Sequence, residues 1–230
     1  MSSVLNRLTV PSFDLTFLHL ANDDSQLPVV LIPGGGGSTK SGVLNQIQIG
    51  KYSGSSRGFS LLKPMMTDAE GKSNFCSAIA TGFLLSNKQP SICAVMDDIC
   101  AVFLVSCKEE DYSFEKKVEF KADHHSSFAA VNACLICQGK HIITGGEDGV
   151  CRLWVISQGG EGENKGIWEA SCVREMKGHT APIMALALHP SRPWIASASK
   201  DGSCKIWDSL NGQGEHLQLV YTLLEFHVFE

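Results

Sequence analysis

The chain lacks an excess of positive charge, a long apolar run and helical periodicity of useful length. Each absence removes a class of protein. Nineteen Lys and Arg against twenty-four Asp and Glu leave a formal net charge of −5, so no basic field favours nucleic acid. No apolar run reaches the ~18 residues of a membrane span. The best candidate, Ile92 to Cys107, is broken by Asp97-Asp98 and reads as two strands joined by a turn. The N-terminus, Met1-Ser2-Ser3-Val4, leads into a mixed polar segment without a signal-peptide pattern. As given, the chain reads as soluble and cytoplasmic.

Metal and hydrolytic chemistry are also missing. The nine cysteines lie mostly inside apolar strand-like runs, where a free thiol acts as a small hydrophobe and suits a reducing compartment. Cys134 and Cys137 have zinc-like spacing, but they sit in the alternating run Val131 to Cys137. A strand sends those sulfurs to opposite faces, and no second Cys-x-x-Cys pair exists. The carboxylate clusters Asp97-Asp98 and Glu109-Glu110-Asp111 read as turn and surface residues. No nucleophile elbow accompanies them, so the chain is not expected to be an enzyme.

What the chain does have is a glycine-rich loop, Gly34-Gly35-Gly36-Gly37-Ser38-Thr39-Lys40-Ser41-Gly42-Val43-Leu44-Asn45, between the apolar run Leu27 to Ile32 and the alternating run Gln46 to Tyr52. Consecutive glycines carry an entropic cost, and a hairpin needs only two turn residues. Gly34 to Ser41 approaches a phosphate-binding loop, but Thr39 stands where that motif needs glycine. A phosphate loop must also open a helix, and a strand pattern follows here. No nucleotide is expected to bind directly. Two readings remain: a flexible surface loop, or a structured loop presenting backbone groups and Lys40 or Asn45 to a partner or an ion.

The second half repeats itself. His141 to Trp154 and Trp194 to Asp208 carry Asp-Gly and Trp at matching offsets (Asp148-Gly149 with Trp154, Asp201-Gly202 with Trp207). Asp-Gly marks a tight turn between strands. Gly178-His179, Asp201-Gly202 and Trp207-Asp208 together resemble a WD repeat, which implies an all-β fold of four-stranded propeller blades. The resemblance implies a hydrogen-bonded network of His179, Ser197, Asp201 and Trp207. Thr144, Asp148 and Trp154 fill three of its four positions in the preceding copy, with Asp123-His124-His125 nearest the histidine position. The clearest repeats are 124–177 and 178–224, within one domain spanning 1–230. Strand-like runs across the first half keep the rhythm. The whole reads as about four blades, an incomplete part of a propeller of about seven, with an open apolar face at each end.

Gly34 to Gly37, Lys40, Ser41, Gly42 and Asn45, early in the chain and within the first blade, resemble the Sec-twelve and prolactin regulatory element-binding protein family. Its members are WD-repeat exchange factors for the Sar GTPase of the COPII coat. The resemblance implies that these loop residues face the GTPase and help eject GDP, which initiates coat assembly in transport from the endoplasmic reticulum to the Golgi. It implies a potassium ion held by the Gly34–Asn45 loop through backbone and side-chain oxygens. It also implies the cytosolic face of the endoplasmic-reticulum membrane, reached in full-length members through a C-terminal span that is absent here. The alternative is a WD scaffold that binds protein without exchange activity, or an inactive truncated isoform.

Overall fold

The computed structural model describes residues 14–18, 29–35, 44–53, 58–67, 76–85, 90–108, 111–137, 139–160, 166–208 and 219–223. They form seventeen strands and, among the described residues, no α-helix. The strands make four antiparallel sheets. In the first, β1 (Thr16–Leu18), β2 (Val29–Gly34), β3 (Gln46–Ser53) and β4 (Gly58–Leu61) lie in chain order, and β5 (Met65–Met66) pairs with the start of β3. The second holds β6 (Cys76–Phe83), β7 (Pro90–Met96), β8 (Ile99–Lys108) and β9 (Asp111–Lys121). The third holds β10 (Val131–Cys137), β11 (His141–Gly146), β12 (Cys151–Gln158) and β13 (Trp168–Met176). The fourth holds β14 (Ile183–Leu188), β15 (Trp194–Ser199), β16 (Cys204–Asp208) and β17 (Leu219–Leu223).

The burial of each strand follows its place in the stack. β7 is buried along its whole length, which its sequence Pro-Ser-Ile-Cys-Ala-Val-Met permits on both faces. β9, at a sheet edge, alternates exposed Glu and Lys with half-buried Tyr112, Phe114 and Val118. Three apolar clusters lie between consecutive sheets. Leu31, Ile47 and Ile49 meet Ile92, Ala94 and Phe103 between the first and second. Val95, Val102 and Leu104 meet Ile136, Ile142 and Trp154 between the second and third. Ile143, Leu153 and Met176 meet Ile183, Ile195 and Trp207 between the third and fourth.

The joints between sheets repeat one device. β6, β10 and β14 each carry a bulge just after their first residue, at Cys76/Ala78, Val131/Ala133 and Ile183/Ala185. A bulge re-aims a side chain out of the ladder. Ser77 Oγ donates to the Val131 carbonyl at 3.3 Å, and Asn132 Nδ2 donates to the Ile183 carbonyl at 3.0 Å. Each bulged residue therefore ties its strand to the first residue of the next leading strand. Glycine makes room for the close approach of neighbouring sheets: a Cβ on Gly145 would lie 2.6 Å from Ile183 Cγ2, and one on Gly82 2.6 Å from Ile136 Cγ2. Met184 holds the bulge position in the fourth sheet and is 44% exposed. Beside it, Ala185 and Ala187 are exposed on the face turned away from the third sheet. At the other end, Phe17, Leu61 and Met66 are exposed on the first sheet.

Gly146 gives a direct test of this close packing. A Cβ there would collide with the Ala130 carbonyl and the Asp123 carboxylate, whereas one on Gly160 meets nothing within 4 Å. Gly146→Ala should lower unfolding free energy in urea by about 1–3 kcal/mol. Gly160→Ala should stay within about 0.5 kcal/mol of the parent. Equal effects would contradict the packing described.

Candidate functional site

The glycine loop leaves the first sheet at Gly34, which pairs with Gln46. Gly35 has φ of +153°, a conformation that L side chains rarely adopt. The space a side chain would need there is already filled: a Cβ would strike Asn45 Oδ1 and lie 2.8 Å from Asn45 Cα. Asn45 is 2% exposed, and its carbonyl accepts from Thr67 N at 3.1 Å. Gln48 Nε2 donates to the Leu62 carbonyl at 2.8 Å. The two ends of the loop thus interlock at Gly35 and Asn45, and the chain leaving the sheet holds the returning end. Gly36, Gly37, Lys40, Ser41 and Gly42 lie outside the described residues.

The leading strands of the sheets run parallel to one another. Asp14 Oδ2 accepts from Ile79 N at 2.9 Å and, further along, the Phe17 carbonyl accepts from Thr81 Oγ1 at 2.7 Å. Gly82 likewise faces Ile136 as Ser77 faces Val131. In antiparallel sheets so arranged, the β2–β3, β7–β8, β11–β12 and β15–β16 connections share one rim. The links from β9 to β10 and from β13 to β14 lie on the same rim. Gly35 and Asn45, the two described ends of the glycine loop, therefore lie on the rim that carries the turns of the other sheets.

Those turns are fixed from below. In the fourth sheet, Ser197 Oγ accepts from Trp207 Nε1 at 2.8 Å and lies 2.8 Å from His179 Nε2. The Asp201 carboxylate can only accept, so the imidazole donates its Nδ1 proton to Asp201 Oδ2 at 2.8 Å. Thr180 N and Ser203 also bond Asp201. Burial pushes the Asp201 carboxyl up, but Ser203, Thr180 N and His179 outweigh it and hold it well below its ordinary 3.8. His179, Ser197, Asp201 and Trp207 are thus one connected relay.

The third sheet divides the same task. Trp154 Nε1 donates to Thr144 Oγ1 at 2.9 Å, matching Trp207 and Ser197. The imidazole position is taken by the Asp123 carboxylate, and the rings of His124 and His125 do not enter. The equivalence is set by the backbone: His124 N donates to Asp148 Oδ2 at 3.2 Å as Thr180 N does to Asp201 Oδ2 at 3.0 Å. Asp123 in turn accepts from Asp148 N at 3.1 Å and His125 N at 2.9 Å. Two adjacent carboxyls need a cation, and buried Arg152 supplies it. Its Nη2 lies 2.7 Å from Asp148 Oδ2, its Nε donates to Glu175 Oε1 at 3.0 Å and its Nη1 to the Ala122 carbonyl at 3.3 Å. Burial and the Asp148 charge push the Asp123 carboxyl up. Burial pushes Asp148 up too, but Arg152 and the amides of Val150 and His124 bring it down. The repeat pattern marks neither Arg152 nor Glu175; Arg152 stands where the other copy has Lys205, and that difference is the available signal.

No group of three or more His, Cys, Asp or Glu among the described residues is arranged to hold a metal ion. Cys134 packs toward the second sheet and Cys137 toward the fourth. Burial pushes the thiols of Cys76, Cys137 and Cys151 up to about 12, so they serve as packing groups.

Residues 116–155 and 170–208 match the family model of the WD domain, G-beta repeat. Each match runs across sheets, from the last strand of one into the third strand of the next. Two WD repeats lie in this chain. Its four sheets are the blades of a β-propeller arrangement, and the relays lie in the WD repeats. A guanine nucleotide-binding protein subunit beta of Arabidopsis thaliana is 24% identical over 135 residues, covering 58% of this chain and 34% of the relative. Pre-mRNA-processing factor 19 of Dictyostelium discoideum is 30% identical over 121 residues, covering 50% and 23%. Among solved structures, a chain of the Chaetomium thermophilum Polycomb Repressive Complex 2 superposes with a TM-score of 0.62 at 15% identity, covering 90% of this chain and 41% of that one. Sqt1 from Chaetomium thermophilum gives 0.54 at 17% identity, covering 87% and 43%. These likenesses show the fold. The chain spans about a third or less of the curated relatives named and about two fifths of the solved chains. No helix among the described residues is long and apolar enough to cross a membrane.

Two predictions follow from the relays. Ser197→Ala strands the Trp207 indole and the His179 ring, and should cost about 1–3 kcal/mol in urea unfolding; no loss would sink the relay. The second concerns pH. The Asp123 carboxyl titrates higher in the fold than the ordinary 3.8, so its favourable contribution is complete only below that value and is lost as pH rises through the raised one. Asp148, Glu175 and Asp201 titrate lower in the fold, so their contributions hold at neutral pH and fade as pH falls. Asp123→Asn should therefore gain more stability than the parent between about pH 4 and pH 7. Identical gains would mean that Asp123 is not the raised group.

Proposed function

We propose that the chain is a guanine nucleotide exchange factor for a Sar-type small GTPase, acting through the loop from Gly34 to Asn45. In this reading it initiates COPII coat assembly at the cytosolic face of the endoplasmic-reticulum membrane. The observation that carries the reading is the interlock of Gly35 with buried Asn45. It supports two firm anchor points for the loop, beside a rim of fixed turns. The sequence resemblance of Gly34 to Asn45 supplies the partner.

Exchange makes and breaks no covalent bond. A factor that binds the nucleotide-free GTPase more tightly than the GDP form shifts the population toward release. Glycines let the backbone approach a partner closely, and Lys40 offers a cation. The Asn45 side-chain oxygen beside the backbone of Gly35 is a neutral oxygen of the class that hard cations take. Asn45 and the carbonyls of Gly34 and Gly35 would hold a potassium ion, which would brace the loop.

A WD scaffold without exchange activity is the second reading. The two relays favour it, since they fix a protein-binding rim without supplying a reactive group. Release of fluorescent GDP from a purified Sar-type GTPase separates the two. The parent chain should accelerate release in potassium buffer, and Asn45→Ala and Gly35→Ala should reduce that acceleration by about tenfold or more. No acceleration from folded, monodisperse parent protein would leave the scaffold.

A further inference from the structure

The link between β9 and β10 is longer than its counterpart in the next blade. Residues 124–130 separate Asp123 from Val131, whereas residues 180–182 separate His179 from Ile183. The added residues are tied down. Val131 N donates to the Asp97 carbonyl at 2.7 Å, and Glu147 N to the Ala130 carbonyl at 2.9 Å. At the other end, Asp123 Oδ1 accepts from His125 N at 2.9 Å. Inside the loop, His125 Nδ1 accepts from Ser127 N at 3.3 Å and Phe128 N at 3.0 Å. The rings of His125 and Phe128 stack with centroids 6.3 Å apart.

This framework holds a phenyl ring in water: Phe128 is 76% exposed. A single exposed hydrophobe is ordinary. Here the ring's own amide is bonded to an imidazole whose backbone is bonded to the buried Asp123–Asp148–Arg152 group. A rigid aromatic on a fixed loop loses little entropy on binding and is the usual anchor of a protein interface. The loop shares its rim with the glycine loop. Protein interfaces of standard size take about 20–30 residues a side, enough to reach from one blade to the next but one.

We propose that Phe128 is a second docking anchor for the GTPase that the glycine loop acts on. The anchor inserts into an apolar pocket of that partner and sets affinity, while the glycine loop acts on the nucleotide. The proposal rests on the exchange reading above.

The test measures binding to a nucleotide-free Sar-type GTPase and GDP release in the same samples. It compares the parent, Phe128→Ala and Ile167→Ala, the last an exposed hydrophobe on the opposite rim. Phe128→Ala should weaken binding about tenfold or more and leave the maximal release rate unchanged; Ile167→Ala should bind as the parent does. Unchanged binding by Phe128→Ala, or equal weakening by Ile167→Ala, overturns the anchor. Phe128-dependent binding without accelerated release keeps the anchor and removes the exchange reading. A parent that neither binds nor accelerates removes both.

Discussion

A four-stranded sheet cannot bury both of its faces by itself, and this constraint governs the whole chain. Each of the first three sheets is covered by the leading strand of the next, which lies parallel to its own leading strand and fills the gap with an isoleucine or valine. Glycines 82 and 145 allow the approach, and the bulged Ser77 and Asn132 seal it with a hydrogen bond to the next strand's first carbonyl. The joint fixes more than packing. Because it sets the leading strands parallel, it gathers the glycine loop, the Asp-Gly turns and the Phe128 loop on a single rim.

That rim is held by two chemical solutions to the same problem. The fourth blade uses an imidazole between a hydroxyl and a carboxylate, so the charge of Asp201 is met locally by donors. The third blade replaces the imidazole with Asp123 and must then import Arg152 and Glu175. An isolated buried carboxylate would be far more costly than a paired one. The exchange also explains Gly146, where the other copy has Ser199: only a residue without a Cβ leaves space for the Asp123 carboxylate. One position thus sets the identity of three others and couples the base of the Phe128 loop to the turn beneath it.

Much of this architecture could be read from local pattern. The Asp-Gly turns, the tryptophans after them and the Asp97-Asp98 break between β7 and β8 all depend on near neighbours in the chain. Long-range substitution could not be read this way. His124 and His125 sit beside Asp123, and residue type favoured an imidazole; only the hydrogen bond from His124 N to Asp148 sets the register. Arg152 and Glu175 are distant in sequence and meet through strand pairing. β9 is hard to read from sequence over most of its length, because an edge strand with Glu and Lys outward carries little apolar signal. For the glycine loop, residue types indicated close backbone approach, and the interlock of Gly35 with Asn45 needed the fold.

The account's central claim is that one rim, carrying both the glycine loop and the Phe128 loop, receives a small GTPase. Amide hydrogen exchange of the chain with and without nucleotide-free Sar-type GTPase tests it most directly. The account predicts new protection over both 34–45 and 124–130, with the opposite rim near 159–167 unchanged. Protection confined to 159–167 or to the outer strands, or none at saturating GTPase, would contradict it.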